Sequence, residues 1–335
     1  MSSNERFLIT GALGCIGAWT ARRLVREGSA VVALDLGGDR RRMAQVMTPD
    51  ELARVTFVVG DISDLGTVVA TLADHGITNV IHLAALQVPF CRADPPLGAL
   101  VNVVGTVNLF EAVKRAGLID APLVYTSSIG AFGPDDVDPS DGRLHEDAAA
   151  HPKTHYGVYK LANEGTARVY ALDDGVASVG LRPMTVYGVG RDQGLTSSPT
   201  TAIAAAVLGV PYRITFGGRT LFQYADDVAA TLITASRSRP AGALLANLPG
   251  SPVSIPDWIA AIDEFVPGAL RLLSVAEGEL PFPSAIDSGA IDALGAQHVT
   301  PWRDGIRETV EIMRSLAAAG RLDARLQGVP GPMPA

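Results

Sequence analysis

At 335 residues, with 47% hydrophobic and 19% charged side chains, the chain is long enough to bury a substantial core and is neither disordered nor fibrous. Its formal net charge of -8, with Arg40-Arg41-Arg42 as the one basic run, excludes the dense basic face of a nucleic-acid binder. The N-terminal residues carry an acid and lead into a short apolar run, which is not the pattern of a signal peptide. No stretch reaches the ~18 apolar residues of a membrane helix, so a cytoplasmic chain without a membrane partner is expected. Strands are then expected at residues 6–10, 30–35, 56–59, 80–83, 123–127 and 178–181. They are runs of Val, Ile and Leu without polar alternation, as in strands buried on both faces of a parallel sheet. Helical patterns at 14–27, 65–75, 97–116 and 154–172 alternate with them, which predicts an α/β, doubly wound sheet. After Leu181 the pattern becomes irregular, with weaker helices at 200–208, 225–236, 256–265 and 302–319. Residues 1–181 are therefore read as a nucleotide-binding domain. Residues 182–320 are read as a smaller, mainly C-terminal substrate lobe with some segments returning to the sheet, and 321–335 as a tail frayed from 328 onward.

The first expected strand runs into Thr10-Gly11-Ala12-Leu13-Gly14-Cys15-Ile16-Gly17, and a helix follows. Glycines at 11, 14 and 17 permit a tight turn and let backbone N–H groups approach a pyrophosphate, to which the helix N-terminus adds partial positive charge. About 20 residues on, the second strand ends in Asp35, whose carboxylate suits adenosine ribose hydroxyls and repels a 2′-phosphate. The context is Rossmann-like. NAD is the expected cofactor, with Gly11, Leu13, Gly14, Cys15, Ile16, Gly17 and Asp35 around it, while the neighbouring arginine run softens the preference over NADP. Asp61, followed by Ile62 after the third strand, is placed either to meet the adenine or to cap the next helix. Cys15 implies no nucleophilic role. With Cys91 it makes two cysteines, no disulfide framework, and no Cys/His cluster has metal-ligand spacing, so no metal is expected.

Tyr156-Gly157-Val158-Tyr159-Lys160 opens a predicted helix, and residues four apart share one helix face. An ammonium there is expected to lower the tyrosine pKa from about 10 toward neutrality, which suits Tyr156 to general acid/base work on an alcohol. Tyr159 has no lysine four residues on. The fifth strand ends Tyr125-Thr126-Ser127-Ser128, and strand C-termini of open α/β sheets face the ligand crevice. Ser127 and Ser128 both compete to hold the reacting oxygen. His82 reads as a satisfied core histidine, and the other histidines suggest no metal site.

With those residues in place, the chain resembles the extended short-chain dehydrogenase/reductase family, in its NAD-dependent epimerase/dehydratase group, over residues 6–314. The likeness is carried by Gly11-x-x-Gly14-x-x-Gly17, Asp35, Asp61, His82-Leu83-Ala84-Ala85, Asn102-x-x-Gly105-Thr106-x-Asn108, Ser127-Ser128 and Tyr156-x-x-x-Lys160. Leu181-Arg182-Pro183 leading to Tyr187-Gly188, and Tyr224-x-Asp226-Asp227-Val228-Ala229, continue it. The resemblance implies that Leu83, Ala84 and Ala85 pass close to the cofactor phosphates. It also implies that Lys160 holds the nicotinamide ribose, that Tyr156, Asn102 and Pro183 join the cofactor set, and that Ser128 is the catalytic serine. Asn102 is read as structural or as support for the catalytic chain, Asp226-Asp227 as a helix start, and a homodimer as the assembly.

Departures from the family narrow the reading. Ser128 is followed by Ile129-Gly130 where the dehydratases carry an Asp-Glu pair, which argues against water elimination. Thr185 stands where many nucleotide-sugar epimerases have an Asn, and Arg219 is displaced by one from their usual arginine; both weaken a nucleotide diphosphate in the substrate pocket. Gln87, Phe90, Ser128, Thr185, Tyr187, Arg191, Arg219 and Gln223 are the candidate substrate contacts. The expected activity is NAD-dependent oxidation of a secondary alcohol on a sugar, sugar acid or polyol. The alternative is an NAD-dependent epimerase working through a transient ketone, and a non-catalytic NAD-binding regulator is disfavoured because Tyr156 and Lys160 are both present.

Overall fold

The computed structural model describes residues 5–118, 121–295 and 297–322, so the expected tail lies outside the described residues from 323 onward. Twelve strands form among these residues. They are β1 (Arg6–Thr10), β2 (Ala30–Asp35), β3 (Val55–Val59), β4 (Asn79–His82), β5 (Leu123–Thr126), β6 (Ser178–Arg182), β7 (Thr185–Tyr187), β8 (Tyr212–Ile214), β9 (Arg219–Tyr224), β10 (Ala243–Asn247), β11 (Ser251–Ser254) and β12 (Leu273–Val275). Seven of them make one parallel sheet in the order β10-β6-β5-β4-β1-β2-β3. From β1 the chain moves outward through β2 and β3, then returns to place β4 on the other side of β1. The strand order therefore reverses between β1 and β4, and ligands of such sheets bind beyond the strand ends at that reversal.

Alternating side chains of each central strand enter opposite cores. Phe7 and Ile9 belong to one cluster with Trp19 and Val228, and Leu8 to the other with Leu34 and Phe110. Each of the three β1 side chains is fully buried, so truncating one to alanine costs about 2–5 kcal/mol. The helix Cys15–Glu27 packs on the helix Ala225–Arg237, and β10 pairs with β6, so two segments from the second half return to the sheet. The other strands build the small sheets β11-β9-β7 and β12-β8.

The helix expected at 97–116 is a continuous run from Pro95 to Arg115 with one π-helical turn, Leu100–Val104, inside it. That run alone among the described residues is long and apolar enough to cross a membrane, with mean hydropathy 1.4, yet half of it is buried against the helices Leu65–Asp74 and His155–Asp174. Short helices at Arg41–Val46, Pro49–Ala53 and Val88–Ala93 were not expected from the sequence.

Candidate active site

The glycine turn sits where the sheet reverses. Gly11 has φ +67°, and a Cβ there would meet the Ala84 amide nitrogen at 2.6 Å, so the turn and residues 83–84 touch through bare backbone. A Cβ on Gly17 would meet the Gly11 carbonyl oxygen at 2.6 Å, which brings the helix Cys15–Glu27 down onto the turn. Gly14 caps that helix with no side-chain bond and no acid in the first turn, leaving the leading N–H groups free for an anion. Asp35 accepts from Leu13 N at 3.0 Å and from Leu36 N at 2.9 Å, which sets its carboxylate against the turn. Asp61 accepts from Ser63 N at 2.8 Å, and Asn108 Nδ2 donates to the carbonyls of Ile62 and Ser63, so this loop is held from beneath. These features fit a dinucleotide: a cradle closed to any Cβ, an uncapped helix start and a carboxylate at the second strand end.

Asn102 acts one step away. Its side chain bonds Leu86 N at 2.7 Å and Leu86 O at 2.9 Å, clamping the segment that contains Leu83, Ala84 and Ala85. The π-helical turn offers the Asn102 carbonyl to Asn163 Nδ2 at 2.9 Å, on the helix that carries Tyr156. Asn102 therefore ties this segment to the helix that carries Tyr156, the supporting place the sequence offered it beside a place in the cofactor set. His82 bonds the Thr10 and Thr106 hydroxyls, and burial pushes its pKa down to about 3, so it is a neutral core residue. Cys15 is likewise inert, its thiol pushed up to about 12 by burial.

The helix His155–Asp174 starts at Thr154, whose hydroxyl accepts from Gly157 N at 3.0 Å. This cap fixes Tyr156 and Lys160 at the rim of a cavity of about 180 Å³ that also reaches Ser128, Gln87, Arg191, Pro183, Ile16 and Leu83. Lys160 Nζ donates to Thr126 O at 2.6 Å and lies 5.5 Å from the Tyr156 ring centre. Burial lowers its pKa to about 8. The electrostatic expectation for Tyr156 needs correction. Burial dominates and pushes the phenol above its ordinary value, while the Ser128 hydroxyl and the Arg191 guanidinium pull the other way.

Ser127 and Ser128 part company. The Ser127 hydroxyl bonds Glu164, which also takes both arms of Arg182 at 2.8 Å in a buried pair. That leaves Ser128 as the hydroxyl facing the phenol. Arg191 gives one arm to Thr196 at 3.2 Å, and its Nε is buried without a partner, as is the Gln87 Oε1. The Gln87 Oε1 and the arm of Arg191 that bonds Thr196 both lie beside Gly194, and both residues line the cavity.

Other expected substrate contacts lie elsewhere. Thr185 is fully buried and pairs with the Thr220 hydroxyl at 2.8 Å, while its neighbours Met184 and Val186 line the cavity. The Arg219 guanidinium is held by Pro252 O at 2.8 Å, away from the cavity lining. Gln223 bonds Met184 N and Leu248 O, Tyr187 is core, and Phe90 is on the surface. Thr196, Leu195 and Phe282 line the cavity without any sequence signal to mark them. Asp226 pairs with Arg23, and Asp227 bonds Thr300, in keeping with a structural role. Asp138, Asp141 and His145 come together on an exposed turn, unmarked by spacing. Both acids bond turn N–H groups there.

The chain is similar to known proteins over most of its length. The profile of the NAD dependent epimerase/dehydratase family matches residues 7–244. A UDP-glucose 4-epimerase of Mycolicibacterium smegmatis is 29% identical over 322 residues, 92% of this chain and 99% of the relative. The solved structure of MoeE5 in complex with UDP-glucose and NAD is 28% identical, with TM-score 0.76 over 93% of this chain and 99% of that one. A partial consensus L-threonine 3-dehydrogenase is 25% identical, with TM-score 0.76 over 94% of this chain and 99% of the other.

Proposed function

Because this chain belongs to the NAD-dependent epimerase/dehydratase family and is an NAD-dependent enzyme, we propose that it oxidises a secondary alcohol of a sugar, sugar acid or polyol at Ser128, Tyr156 and Lys160. The carrying observation is the single cavity that gathers those three side chains with Arg191 and Gln87 and reaches the glycine-turn helix at Ile16. NAD bound at the turn supplies the hydride acceptor. Tyr156 takes the alcohol proton, Ser128 holds the reacting oxygen by a hydrogen bond, and Lys160 stands 5.5 Å from the phenol ring centre with its Nζ held by Thr126 O. Arg191 and Gln87 bring a donor and an acceptor with unmet hydrogen-bonding capacity, which suits a ligand carrying hydroxyl and carboxylate groups. The test is net formation of reduced nicotinamide by purified protein with a panel of sugars, sugar acids and polyols. Tyr156→Phe is expected to lose on the order of 10²–10⁴ in kcat/KM. Full activity in that variant sinks the assignment.

The epimerase reading draws on its UDP-sugar epimerase relatives. In that case the protein interconverts isomers without net cofactor reduction, and NAD stays with it through purification. Thr185 and Arg219, being committed to other partners, weaken the case for a nucleotide handle. A homodimer is part of the same proposal, supported by exposed apolar side chains along two neighbouring helices, Leu97, Leu100 and Val104 on one and Val158, Val169 and Leu172 on the other.

A further inference from the structure

Each arginine of the run beside Asp35 has a partner. Arg40 lies over the Phe57 ring, 3.6 Å from its centre. Arg41 and Arg42 both turn to one carboxylate, Asp192, on the loop that follows β7: Arg41 reaches it at 3.1 Å, and Arg42 through Nε at 2.9 Å and through a second nitrogen at 2.7 Å. Arg42 also donates to Leu13 O at 3.4 Å, while Leu13 N donates to Asp35 at 3.0 Å. One residue of the cofactor turn therefore separates the Arg42 guanidinium from the carboxylate that meets the adenosine ribose. An arginine so placed is the group that accommodates a ribose 2′-phosphate, through paired charge-assisted hydrogen bonds.

We propose that Asp192 is a cofactor-specificity residue. By occupying Arg41 and Arg42 it withholds them from a 2′-phosphate, so that the choice of NAD over NADP rests on Asp35 and Asp192 together. The inference depends on a dinucleotide in the glycine turn and not on the identity of the substrate. Energetics make the carboxylate separable from the fold. The Asp192 and Arg42 side chains are 34% and 19% exposed, so water reaches the pair, and Asp192→Asn removes the charge while keeping the side chain's size and a hydrogen-bond acceptor. The loop has its own anchor as well, since Trp19 Nε1 donates to Val189 O at 2.9 Å. Removing the charge of Asp192 therefore frees the arginines while the loop stays in place.

The experiment titrates NAD and NADP separately against the full chain by quenching of its tryptophan fluorescence. The proteins compared are wild type, Asp192→Asn, and Asp192→Asn combined with Arg42→Ala, with thermal unfolding recorded for each. Asp192→Asn is expected to raise the affinity for NADP relative to NAD on the order of tenfold, as the Arg42 guanidinium, the one that touches the cofactor turn, gains a dianionic partner. Adding Arg42→Ala is expected to abolish that gain. An unchanged NADP-to-NAD ratio in folded Asp192→Asn overturns the proposal, as does a gain that survives the loss of Arg42. Wild-type protein that binds neither dinucleotide overturns it together with the cofactor assignment.

Discussion

The protonation of Tyr156 is set by burial working against two polar neighbours. Burial raises the phenol, and the Ser128 hydrogen bond and the Arg191 charge offset part of that rise. A raised pKa means less phenolate at any given pH, so alcohol oxidation is expected to climb with alkalinity. Removing either offset moves the climb to higher pH. In Ser128→Ala and Arg191→Met, the ascending limb of the kcat/KM profile should shift alkaline relative to wild type; an unmoved limb in both variants would contradict this balance. The same stretch of chain explains why some side chains were legible in the sequence and others were not. Tyr156 and Lys160 are fixed by helix periodicity alone. Ser127 against Ser128, and Thr185 against its neighbours, turn on which face of an extended backbone each occupies. A shift of one residue sends a side chain from cavity to core. Thr185 went to the core, bonded to Thr220, with Met184 and Val186 facing the cavity.

Among elements, the turn between β1 and its helix shows how one glycine differs from the next. At Gly17 an added methyl meets the Gly11 carbonyl oxygen at 2.6 Å and the Ala12 Cα at 2.7 Å, and backbone has no rotamer with which to yield. At Gly14 the nearest atom is the Gly11 oxygen at 3.1 Å, and φ is an ordinary -74°. Gly17→Ala should therefore cost about 1–3 kcal/mol of stability by overpacking. Gly14→Ala should stay folded and lose NAD affinity instead, because its methyl stands where a pyrophosphate approaches. Chemical denaturation and NAD titration separate the two, and equal stability loss in both would refute the distinction. Long elements were legible because β1 to β6 are rich in apolar residues without regular polar alternation and the principal helices run for ten residues or more. The helices Arg41–Val46, Pro49–Ala53 and Val88–Ala93 run for five or six residues, too few to display a 3.6-residue period. Strand β10 reads Ala-Leu-Leu-Ala-Asn, with none of the β-branched residues that mark a strand, and only its pairing with β6 makes it one.

For the whole molecule, the outstanding feature is an apolar face left uncovered among the described residues. Leu97, Leu100 and Val104 fall on one side of the run Pro95–Arg115, whose other side is buried. Val158, Val169 and Leu172 line the solvent side of the adjoining helix His155–Asp174, with Leu172 77% exposed. Single exposed apolar residues are unremarkable, but six on two contacting helices make a patch of the kind that marks an interface. Both helices presented to their own symmetry mates would give a closed, self-complementary contact and no open chain of subunits. Leu100→Glu together with Val158→Glu puts a pair of charges from each protomer into that contact, and burial of unpaired carboxylates is costly. Light scattering behind a sizing column should therefore report a dimer for wild type and a monomer for the double variant. Each half-exposed side chain already meets water in the isolated chain, so the substitutions should leave the fold intact. A wild-type protein that is monomeric at micromolar concentration, or a double variant that remains dimeric, would show that this face is not where two copies meet.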